Sequence, residues 1–372
     1  MEKDSLQQKP TQRIKSNPLS LAQTGSKNCQ DKKPNLDVTL TEIESYGQEM
    51  NTFFGIFTHL AVKDKKSYMV GNDGGKFKIV EDSDQTWYFD PPTHHGLMYD
   101  MIYIDHLDCY FFYFYNNIYR KDINDSPPYI FMKIELSRRP GSIFSYSKIN
   151  KKLIVAKNAI KVAVINLERK QTEILAKGRE NDEILQFRLF GVDENKVICV
   201  TKKGYVYLTC FNYDLKKVCA FNTLKLNFIK KRKEIGFSIS VSDNNDYALV
   251  EISGCHTDFP LCSRMAVVKI KDRLLEVVAL LDVYDQKLGL KYALQPCGFF
   301  GREMIWVGLN GLDLVQFYAF DSQRRELREL EEKRMNHQEK KPFKMYRIGN
   351  EFYYCGRNGK VMRFTISTEC LK

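Results

Sequence analysis

Residues Asn195 to Asp214 read NKVICVTKKGYVYLTCFNYD. Two runs rich in Val, Ile and Tyr surround a Lys-Lys-Gly turn, and an acid closes the stretch. That composition around a glycine turn is the pattern of an antiparallel β-hairpin. Working outward, the same grammar returns with almost no shared residue identity. Before it stand KKSYMVGNDGGKFKIVED (Lys65 to Asp82), DCYFFYFYNNIYRKD (Asp108 to Asp122) and KKLIVAKNAIKVAVINLE (Lys151 to Glu168). After it, a fifth unit starts at Asp246 and carries a longer turn, SGCHTDFPLCSR, before AVVKIKD ends at Asp272. REMIWVGLNGLDLVQFYAFD ends at Asp321, and NEFYYCGRNGKVMRFTISTE runs from Asn350 to Glu369.

The closing acids Asp82, Asp122, Glu168, Asp214, Asp272 and Asp321 are 40 to 58 residues apart, which brackets the period of a four-stranded propeller blade. The flanks of each hairpin supply the other two strands. Upstream lie inner-strand candidates at Phe54 to Val62, Ile143 to Tyr146, Leu185 to Phe190, Phe237 to Val241 and Tyr292 to Phe299. Downstream lie more polar outer segments: TEILAK, KVCAFN, LLEVVAL and ELREL. Middle strands such as Ile198, Cys199 and Val200 are apolar on both faces, because neighbouring blades cover both sides. The expected fold is therefore all-β, a propeller of seven four-stranded blades. Its units fall roughly at 53–90, 97–136, 141–177, 184–226, 236–283, 290–331 and 342–368. Six or eight blades stay open as alternatives, since the second and fifth units are irregular. Ser322 to His337 has charge pairs at helical spacing, but its place after the sixth hairpin makes it an outer strand.

The seventh unit holds three strands, Phe343 to Ile348, Glu351 to Cys355 and Val361 to Ile366. A fourth is expected from LDVTLTEIE, which starts at Leu36 and alternates Leu36, Val38 and Leu40 against polar residues. Residues 36–43 then complete the last blade and close the ring.

Over roughly Leu36 to Thr368 the chain resembles the WD40-like β-propeller superfamily. Phe320-Asp321 and Tyr213-Asp214 stand where that pattern has its aromatic-acidic pair, while Lys121-Asp122 and Lys271-Asp272 keep only the acid. No Gly-His dipeptide precedes a unit, and neither Trp87 nor Trp306 is followed by Asp. The resemblance implies a propeller of no specific family.

The first 35 residues are rich in Gln, Lys, Ser, Asn and Pro and too poor in apolar groups to offset the entropy of ordering. They are expected to form a disordered basic tail of charge +4, seven bases against three acids, within a chain of +11. The rest is one domain. No 18-residue apolar run or secretory core occurs, so a soluble intracellular protein without a transmembrane segment is expected. The cytoplasm is the expected compartment, with the nucleus as the alternative.

Cys109, Cys199, Cys210, Cys297 and Cys355 sit inside strand runs and read as small core hydrophobes in a reducing compartment. Cys255, His256 and Cys262 have zinc-ligand chemistry, but six residues separate the thiols and a fourth ligand is missing, so no metal and no cofactor is expected. His94 and His95 read as a loop after Pro91-Pro92, and Asn72, Asp73 and Gly74 as the first hairpin's turn. Nucleophile-elbow, phosphate-loop, dinucleotide and HExxH motifs are absent, which argues against an enzyme.

Basic charge is the remaining functional signal. Lys230, Lys231, Arg232 and Lys233 form one candidate binding loop, and Arg138 with Arg139 another. Phosphates of RNA, DNA or phosphoinositides suit both loops. The arginine pair is similar to that of phosphoinositide-binding propellers, but Ser137 precedes it and Pro140 follows, so nothing carries over. The long turn Ser253 to Ser263, with Cys255, His256, Asp258 and Phe259, is the first candidate contact for protein partners. The function expected is a non-enzymatic scaffold or complex subunit. An anionic-ligand-binding propeller is the alternative, and an enzyme with its site in the central channel is the third.

Overall fold

The computed structural model describes residues 37–42, 57–64, 67–72, 77–80, 86–89, 98–114, 117–123, 127–134, 144–158, 161–175, 184–201, 203–212, 214–226, 236–253, 263–271, 274–283, 297–300, 304–309, 314–334, 342–348, 351–356 and 361–367. Among them the strands form seven four-stranded antiparallel sheets. The first holds β2 (Phe57–Val62), β3 (Tyr68–Asn72), β4 (Phe77–Val80) and β5 (Thr86–Phe89), and the second β6 (Met98–Ile104), β7 (Cys109–Phe114), β8 (Asn117–Asp122) and β9 (Tyr129–Lys133). The third holds β10 (Phe144–Ser147), β11 (Lys152–Asn158), β12 (Lys161–Asn166) and β13 (Gln171–Leu175), and the fourth β14 (Ile184–Phe190), β15 (Lys196–Thr201), β16 (Tyr205–Phe211) and β17 (Val218–Lys225). The fifth is β18 (Gly236–Val241), β19 (Tyr247–Ser253), β20 (Ser263–Lys271) and β21 (Leu274–Val283), and the sixth β22 (Cys297–Phe300), β23 (Met304–Leu309), β24 (Leu314–Asp321) and β25 (Glu326–Arg334). In the seventh, β26 (Pro342–Ile348), β27 (Glu351–Gly356) and β28 (Val361–Ser367) are joined by β1 (Asp37–Glu42). β1 pairs with β28 from Asp37 opposite Ser367 to Glu42 opposite Met362. The segment after the sixth hairpin is strand β25, as its position rather than its charge spacing demands.

Why the middle strands are apolar throughout is visible in β7. Its six residues are all buried, and they divide by parity between two cores. Cys109, Phe111 and Tyr113 pack with Phe144, Leu153 and Val155 of the third sheet. Tyr110, Phe112 and Phe114 pack with Ala61, Met69 and Ile79 of the first. β15 repeats the division: Val197 and Cys199 meet Ile154 and Val164, while Ile198 and Val200 meet Ile239 and Val250. Each fully buried side chain of this size contributes about 1.5 to 3 kcal/mol, so a strand packed on both faces couples three consecutive sheets. Gly71 of β3 marks a close approach. A Cβ there would lie 2.6 Å from both Met101 Cε and Met98 Sδ of β6.

The closing acids of the repeat have a local job. Asp321 Oδ1 accepts the backbone N–H groups of Gln323 and Arg324, both at 2.9 Å, and so holds the turn into β25. Asp214 accepts from Lys216 N at 3.3 Å, where Asn212 is the closer acceptor at 2.8 Å. In the third sheet Asn166, and not the closing acid Glu168, has this role. Asn166 Oδ1 accepts from Glu168 N and Arg169 N, both at 3.0 Å, and Glu168 itself is exposed. Any short side-chain acceptor immediately before the turn, two and three residues ahead of the N–H groups it holds, does this work. Asp82 and Asp272 lie outside the described residues. Among the described residues no helix is long and apolar enough to cross a membrane.

Candidate functional site at the inner-strand turns

Turns from the first to the second strand of the second, third, fourth and fifth sheets use one backbone device. Asp108, Lys151, Glu194 and Asn245 all adopt positive φ, between 46° and 63°. These turns emerge at the same ends of alternating strands, and their side chains reach from one sheet to the next. Lys63 Nζ lies 2.9 Å from Asp108 Oδ1. Asp108 also accepts from the Tyr103 hydroxyl at 2.5 Å. The Tyr103 hydrogen bond, then Lys63, hold the Asp108 carboxyl below its ordinary range. Burial first, then the Asp108 hydrogen bond, push the Tyr103 phenol up.

The second sheet meets the third through Lys148 Nζ and Asp105 Oδ2, 2.5 Å apart, and through Tyr146, whose hydroxyl is 2.9 Å from His106 Nδ1. The two rings stack at 5.4 Å. Burial, then the Lys151 charge, lower the His106 pKa, so neutral imidazole is favoured there. From the third to the fourth sheet, Glu194 Oε2 accepts from Ser147 Oγ at 2.9 Å and from Ile149 N at 3.0 Å. From the fourth to the fifth, Asn245 Oδ1 accepts from Gly191 N at 3.3 Å.

A second row of ties runs deeper, along the innermost strands. Asp100 Oδ2 on β6 accepts from Phe144 N of β10 at 3.1 Å, Gln186 Oε1 on β14 from Ile239 N of β18 at 3.1 Å, and Ser240 Oγ on β18 from Phe299 N of β22 at 3.3 Å. An innermost strand has one open edge, and these side chains satisfy N–H groups that the sheet itself leaves unpaired.

Between the β14–β15 and β18–β19 turns lies an open cavity of about 340 Å³. Arg188, Phe190, Glu194, Ser242, Asp243 and Asn245 are among its lining residues. Gly191, also at its wall, has φ 97°, a conformation that side chains resist. The polar groups here are mixed in sign, with the turn carboxylate Glu194 engaged by the third sheet. Apolar groups also reach solvent here, beside the exposed Lys148 and Asp105: Ile149 is 60% exposed and Val192 88%, on adjacent turns. Sequence reading missed this surface, because a lone Val or Ile in a turn carries no motif. Charge alternation was the available signal: Lys63, Asp105, Lys148 and Asp193-Glu194 change sign from turn to turn.

Arg138 and Arg139, Lys230, Lys231, Arg232 and Lys233, and Cys255, His256, Asp258 and Phe259 all lie outside the described residues. In chain order they fall in the β9–β10, β17–β18 and β19–β20 connections. His94, His95 and Cys262 are outside the described residues as well. Cys109 and Cys199 are buried, and Cys219 is exposed. Burial, only partly offset by Arg120, pushes the Cys109 thiol up to about 12, which makes it inert at neutral pH. Among the described residues no group of three or more His, Cys, Asp or Glu could hold a metal ion.

No protein-family model matches the sequence, and no curated protein matches it either. Solved structures do. Virginiamycin B lyase from Staphylococcus aureus superposes with a TM-score of 0.59 at 10% identity, over 89% of this chain and 99% of that one. The WD40 β-propeller domain of Doa1 superposes with a TM-score of 0.55 at 11% identity, over 89% of this chain and 97% of that one. At such identities the likeness establishes the fold alone. The fold is that of a β-propeller.

Proposed function

We propose that the chain is a non-enzymatic propeller of seven blades, its ring closed by β1 on β28, that acts as a scaffold or complex subunit for protein partners in the cytoplasm. The observation that carries this reading is the division of labour at the inner-strand turns. Polar side chains there point sideways and fasten one turn to the next, while Ile149 and Val192 point into solvent. A catalytic cleft has the opposite arrangement, with convergent polar groups of shifted pKa facing a cavity. Support for closure comes from the β1–β28 register and from β26 lying against β2 and β23. The neighbours differ in what their names say: one is a lyase and one a domain of Doa1. The fold is therefore silent between the two roles.

Purification of the tagged protein from its native cell tests the reading, with and without nuclease and at two salt concentrations. Stoichiometric proteins that survive both treatments, and that Ile149→Asp with Val192→Asp releases, are the expected result. Loss of all associated material with salt, abolished by charge reversal at Lys230 to Lys233, would instead select the anionic-ligand reading. A solitary protein would overturn the scaffold role.

A further inference from the structure

Each sheet ends outward in a strand with no strand beyond it among the described residues. Such edges pair with any compatible strand, so proteins keep them short, charged or flanked by proline. Four of the seven follow that rule. β5 and β13 have four and five residues. β9 has five and follows Pro127-Pro128. β25 has nine, seven of them charged.

β21 does not. It is ten residues long, LLEVVALLDV, and only Glu276 and Asp282 are charged. Leu274 and Leu280 are 67% and 49% exposed. Glu276 already meets Arg325 at 2.9 Å. β17 is also weakly charged, but its sequence VCAFNTLK has no internal symmetry. β21 has one. Read from either end, Leu274-Leu275-Glu276-Val277 mirrors Leu281-Leu280-Ala279-Val278, with Glu276 against Ala279 the one mismatch.

The backbone makes that symmetry usable. Leu275 and Val277 pack toward the fourth sheet, and Val278, Ala279 and Leu281 toward the sixth. Leu274 opposes Lys271, next to Ile270, and therefore lies on the sixth-sheet side, whereas Leu280 opposes Ala266 and lies on the fourth-sheet side. In a regular strand Leu274 and Leu281 would project from opposite faces, as would Leu275 and Leu280. The register shift between Val267 and Val268, which makes Val278 an extra residue, reverses the parity at the centre. Leu274 then shares a face with Leu281, and Leu275 with Leu280. Opposed residues of an antiparallel pair must share a face; these two pairs do, and the one opposed pair that does not is Val277 with Val278, at the bulge itself.

We propose that the β21 edge is a homodimerisation surface, occupied by β21 of a second copy about a two-fold axis between Val277 and Val278. Leu274 then faces Leu281 of the partner subunit, Leu275 faces Leu280 of the partner subunit, and Glu276 faces Ala279 of the partner subunit, so like charges never meet. The pairing is isologous, the commonest symmetry of soluble oligomers, and joins two sheets into one of eight strands. The bulge at the axis limits the ladder to short regular arms, which makes the dimer reversible. This goes beyond the scaffold reading and does not depend on it.

Sedimentation equilibrium of the full chain tests it. The expected result is a mass that rises from one copy toward two with concentration. Leu280→Lys and, independently, Leu274→Lys should each weaken association at least about tenfold, with unchanged melting because both sites are solvent-facing. Phe221→Lys on β17 should leave it intact. Register is read by mixing Leu274→Cys with Leu281→Cys under oxidation: a crosslink between chains is expected there and not when Leu274→Cys is mixed with Leu275→Cys. A chain that stays monomeric at its highest soluble concentration, or a dimer indifferent to both lysine variants, overturns the proposal. Either result leaves the partner purification to judge the scaffold role separately.

Discussion

The inner rim and the outer edges of this molecule are built on different rules. From the first sheet to the sixth, the inner strands and their turns are fastened to the next sheet by named side chains: Lys63 to Asp108, Asp100 to Phe144, Glu194 to Ile149, Gln186 to Ile239 and Ser240 to Phe299. At the outside, each sheet ends in a strand with no further strand beyond it among the described residues, and its own composition decides what may join it. β21 and β25 are neighbours of nearly equal length, yet one has two charges and the other seven. The inner rim secures the order of the sheets, and the outer edges set the company they keep.

The largest expected effect comes from the one outer strand borrowed from the far end of the chain. Removing residues 1–44 deletes β1 and should lower the melting temperature sharply, whereas removing 1–33 should leave it nearly unchanged. Equal melting of the two truncations would show that the seventh sheet holds without its fourth strand. Next comes the inner rim. Asp100 is buried and accepts from both Met101 N and Phe144 N. Asp100→Ala leaves those donors without that acceptor and should cost about 1 to 3 kcal/mol in urea denaturation. An effect no larger than that of an exposed substitution on β25 would erase the contrast between rim and edge.

A smaller loss is expected where two sheets touch through a glycine. Gly71→Ala must displace the ends of Met98 and Met101, which are flexible, so about 1 kcal/mol is expected from overpacking. The smallest effect is one of pH. His106 is held neutral in the fold, so the unfolded chain takes up its proton first, and the contribution is lost as pH falls through about 6.5 toward the lowered native value. Asp108 is shifted down as well, so its tie to Lys63 and Tyr103 persists above the ordinary carboxylate range and goes only in stronger acid. The difference in melting temperature between native protein and His106→Phe should therefore be independent of pH near about pH 8 and shift in favour of the variant below about pH 6.5.

Much of this architecture was legible because it is periodic. Apolar segments upstream of each hairpin placed β14 and β18 within a residue of their observed bounds, and alternation of apolar and polar residues found β1, whose partner β28 lies more than three hundred residues on. Position in the repeat decided β25 where local charge spacing pointed to a helix. What escaped is what has no period. Asn166 replaces an acid as turn holder because the backbone asks only for a short acceptor, not a charge. Asp100 and Gln186 serve neighbours 44 and 53 residues away, and nothing local distinguishes them from other polar strand residues. The apolar tips Ile149 and Val192 were silent for the same reason. Basic runs, by contrast, are conspicuous in a sequence whether or not a ligand exists.

The pairing of β1 with β28 also sets a schedule for synthesis. More than three hundred residues separate the two strands, and a ribosome needs on the order of 15 to 60 s to cover them. Throughout that time β1 is made but has no strand to join, while the first six sheets assemble from contacts close in sequence. The last sheet is then completed by the first of the described strands to be made, in a step that waits on the synthesis of β28.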